Sequence, residues 1–237
     1  MRLDTLLTQK GFGSRNQIKT LLKSRQVSLN DAIVTNKAQM VDANVQDIRV
    51  SGKQVKDDSL VYYLLNKPAG VVTACRDQQH QTVLDLLAPR DQRQGLYPVG
   101  RLDRDTQGLV LITNNGPLGF RLLHPKHHVQ KVYEVVVNGY LGQDAISFFK
   151  HGVIFLDGTQ CQPAFLDIIE TSQLSSRAKL TITEGRFHQV KKMFLAYGLK
   201  VVFLKRVRFG QFELGDLKSG EYRSLSQEEL QALFAAL

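Results

Sequence analysis

Cysteine is scarce. Cys75 and Cys161 are the only two in 237 residues, and they lie far apart with no Cys-x-x-Cys pair. That pattern excludes a zinc knuckle and a disulfide framework, and it leaves both as small core residues. No apolar run approaches the ~18 residues that a membrane helix needs. Met1-Arg2-Leu3-Asp4 puts an acid where a secretory leader is basic, and no apolar stretch follows, so a cytoplasmic protein is expected. The P-loop pattern and the Gly-x-Ser-x-Gly elbow are missing, which argues against a P-loop ATPase and an α/β-hydrolase. His124, His127 and His128 cluster without a further ligand set at metal spacing, so no metal site is assigned. No internal repeat is visible.

Acids are also in deficit, 22 Asp+Glu against 31 Lys+Arg, for a formal net charge of +9. A hydrophobic share of 43% excludes disorder of the whole chain. The excess charge points to an anionic partner, with nucleic acid first. Residues 1–30 hold six basic residues and one acid, for +5, and residues 171–210 hold nine and one, for +8. Everything else sums to −4. Neither segment pairs a broad apolar face with a basic one, so a membrane surface is not expected as partner.

The first part, residues 1–58, reads as a small unit. Leu3, Leu6 and Leu7 follow helical spacing until Gly11 and Gly13 break it. Ser14 and Gln17 form a capping box, and the helix behind it puts Ile18, Leu21 and Leu22 on one face. Arg15, Lys19 and Lys23 recur every four residues on another, where like charges repel unless something anionic lies along them. A hairpin turning at Asn30-Asp31 and a strand at Ile48-Arg49-Val50 follow, and the polar stretch 53–58 reads as a linker. Residues 61–237 are strand-rich, with strands read at Val61–Leu65, Gly108–Thr113, Lys131–Val137 and Lys179–Thr183. Phe187–Tyr197 has helical periodicity stopped by Gly198. Ser226 and Glu229 cap a last helix carrying Leu230, Leu233, Phe234 and Leu237. The sum is a mixed α+β fold.

The segment Gly100-Arg101-Leu102-Asp103-Arg104-Asp105-Thr106-Gln107-Gly108-Leu109 is a polar loop between apolar strands. A carboxylate among cations favours its charged form, as a nucleophile or base requires. Residue chemistry alone favours a commoner reading, an ion-paired turn capped by Asp105 or Thr106.

The longer string GRLDRDTQGLVLIT resembles the signature of the pseudouridine synthases, within them the RsuA-like branch. Leu65–Val71, His127–Tyr133 and Glu184–Phe194 agree with that branch in order. Residues 1–30 resemble the alpha-L RNA-binding module through Arg2-Leu3-Asp4, Ser14-Arg15 and Arg25–Asn30. The resemblance implies an amino-terminal alpha-L domain ahead of a larger, mainly antiparallel-sheet catalytic domain. It implies isomerisation of a uridine in RNA to pseudouridine, with no cofactor, metal or ATP. Asp103 takes the place of the essential aspartate, as nucleophile at C1′ or C6 or as base in a glycal route. Tyr133 is the residue that stacks on the uracil, and Lys191 the basic partner that orients Asp103, where many relatives have Arg. Arg101 braces the space that the extruded uridine vacates, and Leu109 and Val110 belong to the pocket wall. Arg104, Arg186, His188, Lys192, Arg15, Lys19, Lys23 and Arg25 are candidate RNA contacts. His188-Gln189-Val190-Lys191 resembles the small-subunit rRNA member, so the expected partner is that rRNA or a small-subunit assembly intermediate, met by a monomer. Rival readings are a large-subunit rRNA synthase, a non-catalytic assembly factor, and a glycoside or nucleoside hydrolase pairing Asp103 with Asp105 or Glu184.

Overall fold

The computed structural model describes residues 1–235; Leu237, expected on the last helix, lies outside them. Helix α1 (Leu3–Gln9) buries Leu3, Leu6 and Leu7. Helix α2 (Arg15–Lys23) starts at the expected box, where Ser14 N–H donates to Gln17 Oε1 at 2.7 Å. Strands β1 (Val27–Leu29) and β2 (Ala32–Ile33) form the expected hairpin. Its turn residues, Asn30 and Asp31, both take positive φ, as a two-residue primed turn requires. Strand β3 (Ile48–Val50) pairs with β1, and β4 (Lys53–Gln54) pairs with β3.

The linker expected at 53–58 is therefore partly strand. Ser51 and Gly52 turn the chain at positive φ, Val55 is buried, and Asp57 pairs with Lys10 at 3.0 Å. The unit's core is Leu3, Leu6, Leu7, Ile18, Leu22, Val27, Val41, Ile48, Val50 and Val55.

The second sheet starts with β5 (Tyr62–Lys67), β6 (Tyr97–Val99) and β7 (Gln107–Thr113), followed by α3 (Gly116–Leu123) and β8 (Lys131–Val137). Then come α4 (Asp144–Lys150), β9 (Phe165–Thr171), β10 (Ser176–Ile182), α5 (Gln189–Tyr197) and β11 (Val201–Phe209). Short β12 (Phe212–Glu213), β13 (Tyr222–Ser224) and α6 (Gln227–Ala235) end the described chain. The strand order is β13-β5-β7-β11-β8-β10-β9, with β6 added on β7 and β12 on β11. All pairs are antiparallel except β7–β11. The class is the expected α+β.

Two cores cover the sheet. One joins Tyr133, Val135, Val110 and Leu204 to Phe149, Val190, Met193 and Phe194 of α4 and α5. The other joins Tyr62, Leu64, Leu109, Leu111 and Phe209 to Leu118 of α3 and to Leu233 and Phe234 of α6. Met40 and Met1 of the amino-terminal unit enter this second core. Beside it the Tyr62 hydroxyl donates to buried Asp42 at 2.7 Å and accepts from Asn115 Nδ2 at 3.0 Å. The small unit is thus packed onto the sheet as well as joined to it in sequence.

Candidate active site

The parallel pair β7–β11 brings the start of β7 against the middle of β11. Gly108 stands against the Arg206 backbone so closely that any Cβ there would collide with it. Its φ of +104° also favours glycine. The register puts Gly108, Arg206 and Tyr133 in one row across β7, β11 and β8. Asp103 lies on the loop entering β7 at this row.

That loop is held from behind. Thr73 Oγ1 donates to Leu102 O at 2.6 Å and accepts from Leu102 N–H at 3.0 Å, while Gly70 N–H donates to Arg104 O at 2.8 Å. Lys67, with 0% exposure, donates to Pro68 O at 2.9 Å, Arg104 O at 3.2 Å and Thr106 O at 2.7 Å. Burial pushes its ammonium down to about 8, against the pull of Asp105 and Asp103. The strand expected at Val61–Leu65 runs on to Lys67, and the sequence alone assigns this clamp to no residue. The available signal was a lysine closing an apolar strand.

Lys191, on the first turn of α5, reaches three carboxylate oxygens. Its Nζ lies 3.0 Å from Asp103 Oδ2, and 2.7 and 2.9 Å from the two oxygens of Asp105. Burial alone would lower its pKa; the bonds to Asp105 and Asp103 outweigh that and raise it, so the ammonium stays charged. The bond from Lys191, against the opposing effect of burial, holds Asp105 below the usual carboxylate range. His188 Nε2 stands 3.4 Å from Asp103 Oδ1. The Asp103–Lys191 proximity expected from sequence is present, with Asp105 as a second acid on the same cation.

Tyr133 is buried between strand neighbours Leu180 and Arg206, and its hydroxyl takes no hydrogen bond among the described residues. Leu109 and Val110 separate: strand alternation sends Val110 into the core of Tyr133 and Leu109 into the opposite one. Only Val110 can therefore line the tyrosine's side. Arg206, 2% exposed, donates from Nε to Leu109 O at 2.8 Å and leaves Nη2 unpartnered. Lys131, also buried, is pushed down to about 8 by burial and by Arg206.

The candidate RNA contacts divide. Arg101 is exposed and enters no hydrogen bond or ion pair among the described residues. Arg104 donates to His80 Nε2, whose Nδ1 faces Asp77. Arg186 pairs with Glu184 at 3.1 Å, and Lys192 lies over Phe155 and Phe187. Arg15, Lys19 and Lys23 line the exposed face of α2, and Arg25 follows it at a φ of +58°.

Glu184, a rival second carboxylate, is tied up instead. It accepts from Gln189 Nε2 at 2.7 Å and from Gln162 N–H at 2.9 Å. The helix expected from Phe187 starts at Gln189, because Glu184 and Gln189 hold a turn with His188 in the left-handed region. Among the described residues no group of three or more His, Cys, Asp or Glu could hold a metal ion.

A family model described as RNA pseudouridylate synthase matches residues 61–196, and one described as S4 domain matches residues 1–47. An uncharacterized RNA pseudouridine synthase of Bacillus subtilis is 42% identical over 234 residues, 98% of each chain. Ribosomal small subunit pseudouridine synthase A of Yersinia pestis is 38% identical over 240 residues, 99% of each chain. Ribosomal large subunit pseudouridine synthase B of Bacillus subtilis is 35% identical over 236 residues, 99% of this chain and 96% of that one. A crystal structure of a pseudouridylate synthase matches with a TM-score of 0.68 at 32% identity, covering 98% of this chain and 99% of that one.

Proposed function

The chain belongs to the RNA pseudouridine synthases, and from that premise we propose that it isomerises a uridine of small-subunit ribosomal RNA, using Asp103, Tyr133 and Lys191. The observation that carries the assignment of residues is Lys191 Nζ at 3.0 Å from Asp103 Oδ2, at the end of the strand row that includes Tyr133.

The reaction breaks the bond from C1′ to N1, turns the uracil, joins C5 to C1′ and releases the C5 proton while N1 gains one. Asp103 serves as the carboxylate that attacks C1′ or C6, or that takes a proton on the way to a glycal. Lys191 supports it by fixing the carboxylate and keeping a positive charge beside it. Tyr133 offers a ring for the uracil and an uncommitted hydroxyl for the C5 proton. The extruded uridine costs a few kcal/mol of lost stacking. Arg101, exposed and without a hydrogen bond or ion pair among the described residues, is suited to fill the gap it leaves.

The small-subunit target is supported by His188-Gln189-Val190-Lys191 and by the Yersinia pestis relative. The Bacillus subtilis large-subunit relative favours a second reading, the large-subunit RNA. We assign the cytoplasm as the site of action and a monomer as the acting form. Mapping pseudouridine in both rRNAs from cells with and without the gene tests the proposal. One lost site in small-subunit rRNA is the expected result, and a lost site only in the large subunit overturns the target. Unchanged maps, together with no conversion of either unmodified rRNA by purified protein, overturn the activity. Release of free uracil would instead favour a hydrolase.

A further inference from the structure

Phe187 is the unexplained group near Asp103. Its side chain is 73% exposed, although it sits one residue from His188, which touches Asp103. An isolated exposed aromatic is ordinary. This one is ordered by its neighbours: its ring stacks on that of His188 with centroids 3.8 Å apart and planes at 21°. Lys192 Nζ lies 5.7 Å from the Phe187 centroid and 5.4 Å from that of Phe155.

The backbone beneath is fixed as well. His188 holds a φ of +52°, which a non-glycine residue keeps only when its surroundings impose it. They do so here through Gln189, which accepts from Arg186 N–H at 2.8 Å and donates to Glu184 at 2.7 Å. The result is a preformed two-ring stack, largely open to solvent, beside Arg186 and Lys192 and against the carboxylate at which the uridine is extruded.

We propose that Phe187 and His188 form a stacking step for the unpaired base next to the target uridine, with Lys192 and Arg186 near that nucleotide's phosphate. The inference rests on the reading of the chain as an RNA-modifying enzyme and extends it to a second nucleotide. Extruding one base unstacks its neighbour, which gains a new partner on an aromatic face. Any base has a π-face, so the step holds the strand in place without specifying the base.

The test uses the full chain and two single-stranded RNA heptamers, each with one uridine, bearing 2-aminopurine on its 3′ side in one and on its 5′ side in the other. Wild-type protein should quench the fluorescence of one of them. Phe187→Ala should lose the quenching and bind that heptamer about 5- to 100-fold more weakly, the equivalent of one base–aromatic stack. Phe187→Trp should restore both, and Phe187→Leu, apolar but without a π-face, should restore neither. Equal quenching and affinity in wild type and Phe187→Ala overturn the proposal, as does full restoration by leucine. Phe187 is exposed, so matched melting temperatures are expected and exclude misfolding. Pseudouridine formation in unmodified rRNA transcripts is followed in parallel. If wild type makes none while the heptamer results hold, the enzyme reading fails and the stack stands; normal formation with no quenching difference fails the stack alone.

Discussion

The cations of α2 and those of residues 171–210 differ in what they touch. Arg15, Lys19 and Lys23 stand exposed along one face with no ion pair among the described residues. In the later segment Lys191 is shared by two aspartates, Arg186 is paired with Glu184, Lys192 lies over rings, and Arg206 is buried. Both regions raise the net charge, but in the second the cations nearest Asp103 are already engaged within the protein. Arg177, Lys179 and Lys200 of that segment stand exposed without an ion pair among the described residues, as the cations of α2 do. Formal charge is thus a poor measure of RNA affinity when the cations are already committed, and the two regions should fail differently when altered.

The largest expected effect is at the committed end. Asp103→Asn should lower single-turnover pseudouridine formation by about 10⁴-fold or more while RNA binding, read by filter retention, stays near wild type. Lys191→Met should cost about 10²- to 10⁴-fold in the same assay with affinity again close to wild type. A large affinity loss with normal chemistry would make Lys191 a phosphate contact and erase the contrast. Lys67→Met comes next. It bares Thr106 O and Pro68 O, at about 1–3 kcal/mol each, and leaves Arg104 O with the Gly70 N–H alone; a loosened Asp103 loop should cost up to about 10²-fold in rate.

The uncommitted end should show the reverse. Replacing Arg15, Lys19 and Lys23 by Ala should flatten the dependence of log K on log salt by roughly 0.7–0.9 per lost phosphate contact, with the saturated single-turnover rate retained. An unchanged salt slope would remove α2 from the docking surface. Substitution is a cleaner probe than truncation here, because deleting residues 1–58 would also remove Met40 from the core it shares with Tyr62, Leu64 and Phe234, and Asp42 from the Tyr62 hydroxyl.

The smallest effect is on stability. Lys67 and Lys131 are both pushed down to about 8 by burial, so between about pH 8 and 9.5 the unfolded chain binds more protons than the folded one. Stability should therefore rise with pH in that window, by up to ~1.4 kcal/mol per pH unit for each lysine. Lys191 acts oppositely, but its raised value puts its loss at higher pH. Urea unfolding across the window checks the slope, which Lys67→Met should reduce; flat or falling wild-type stability would contradict the assignment.

These differences also explain what could be read in advance. The Asn30-Asp31 hairpin was legible because both residues tolerate positive φ, and Lys131–Val137 because four valines and a tyrosine in seven residues favour a strand. β11 was not recognised as a strand, because Lys205, Arg206 and Arg208 look like surface charge, whereas the strand is central and Arg206 is buried, bonded to a carbonyl of the neighbouring strand β7. The early start assigned to α5 failed because nothing in the local pattern marks His188 as left-handed. At the site, the Asp103 loop and its Lys191 partner were legible through long motifs. The role of Lys67 was not, since its partners are backbone carbonyls that only tertiary structure brings together.

The packing of Met1 and Met40 into the core shared with Phe234 has a consequence for target choice. A docking unit on a loose tether would raise the local concentration of RNA and leave every nearby uridine within reach. A unit seated in a common core works as a ruler instead. If α2 grips a helix of the RNA, the span from that grip to Asp103 is set by the protein, and a uridine is selected partly by how far along the folded RNA it lies.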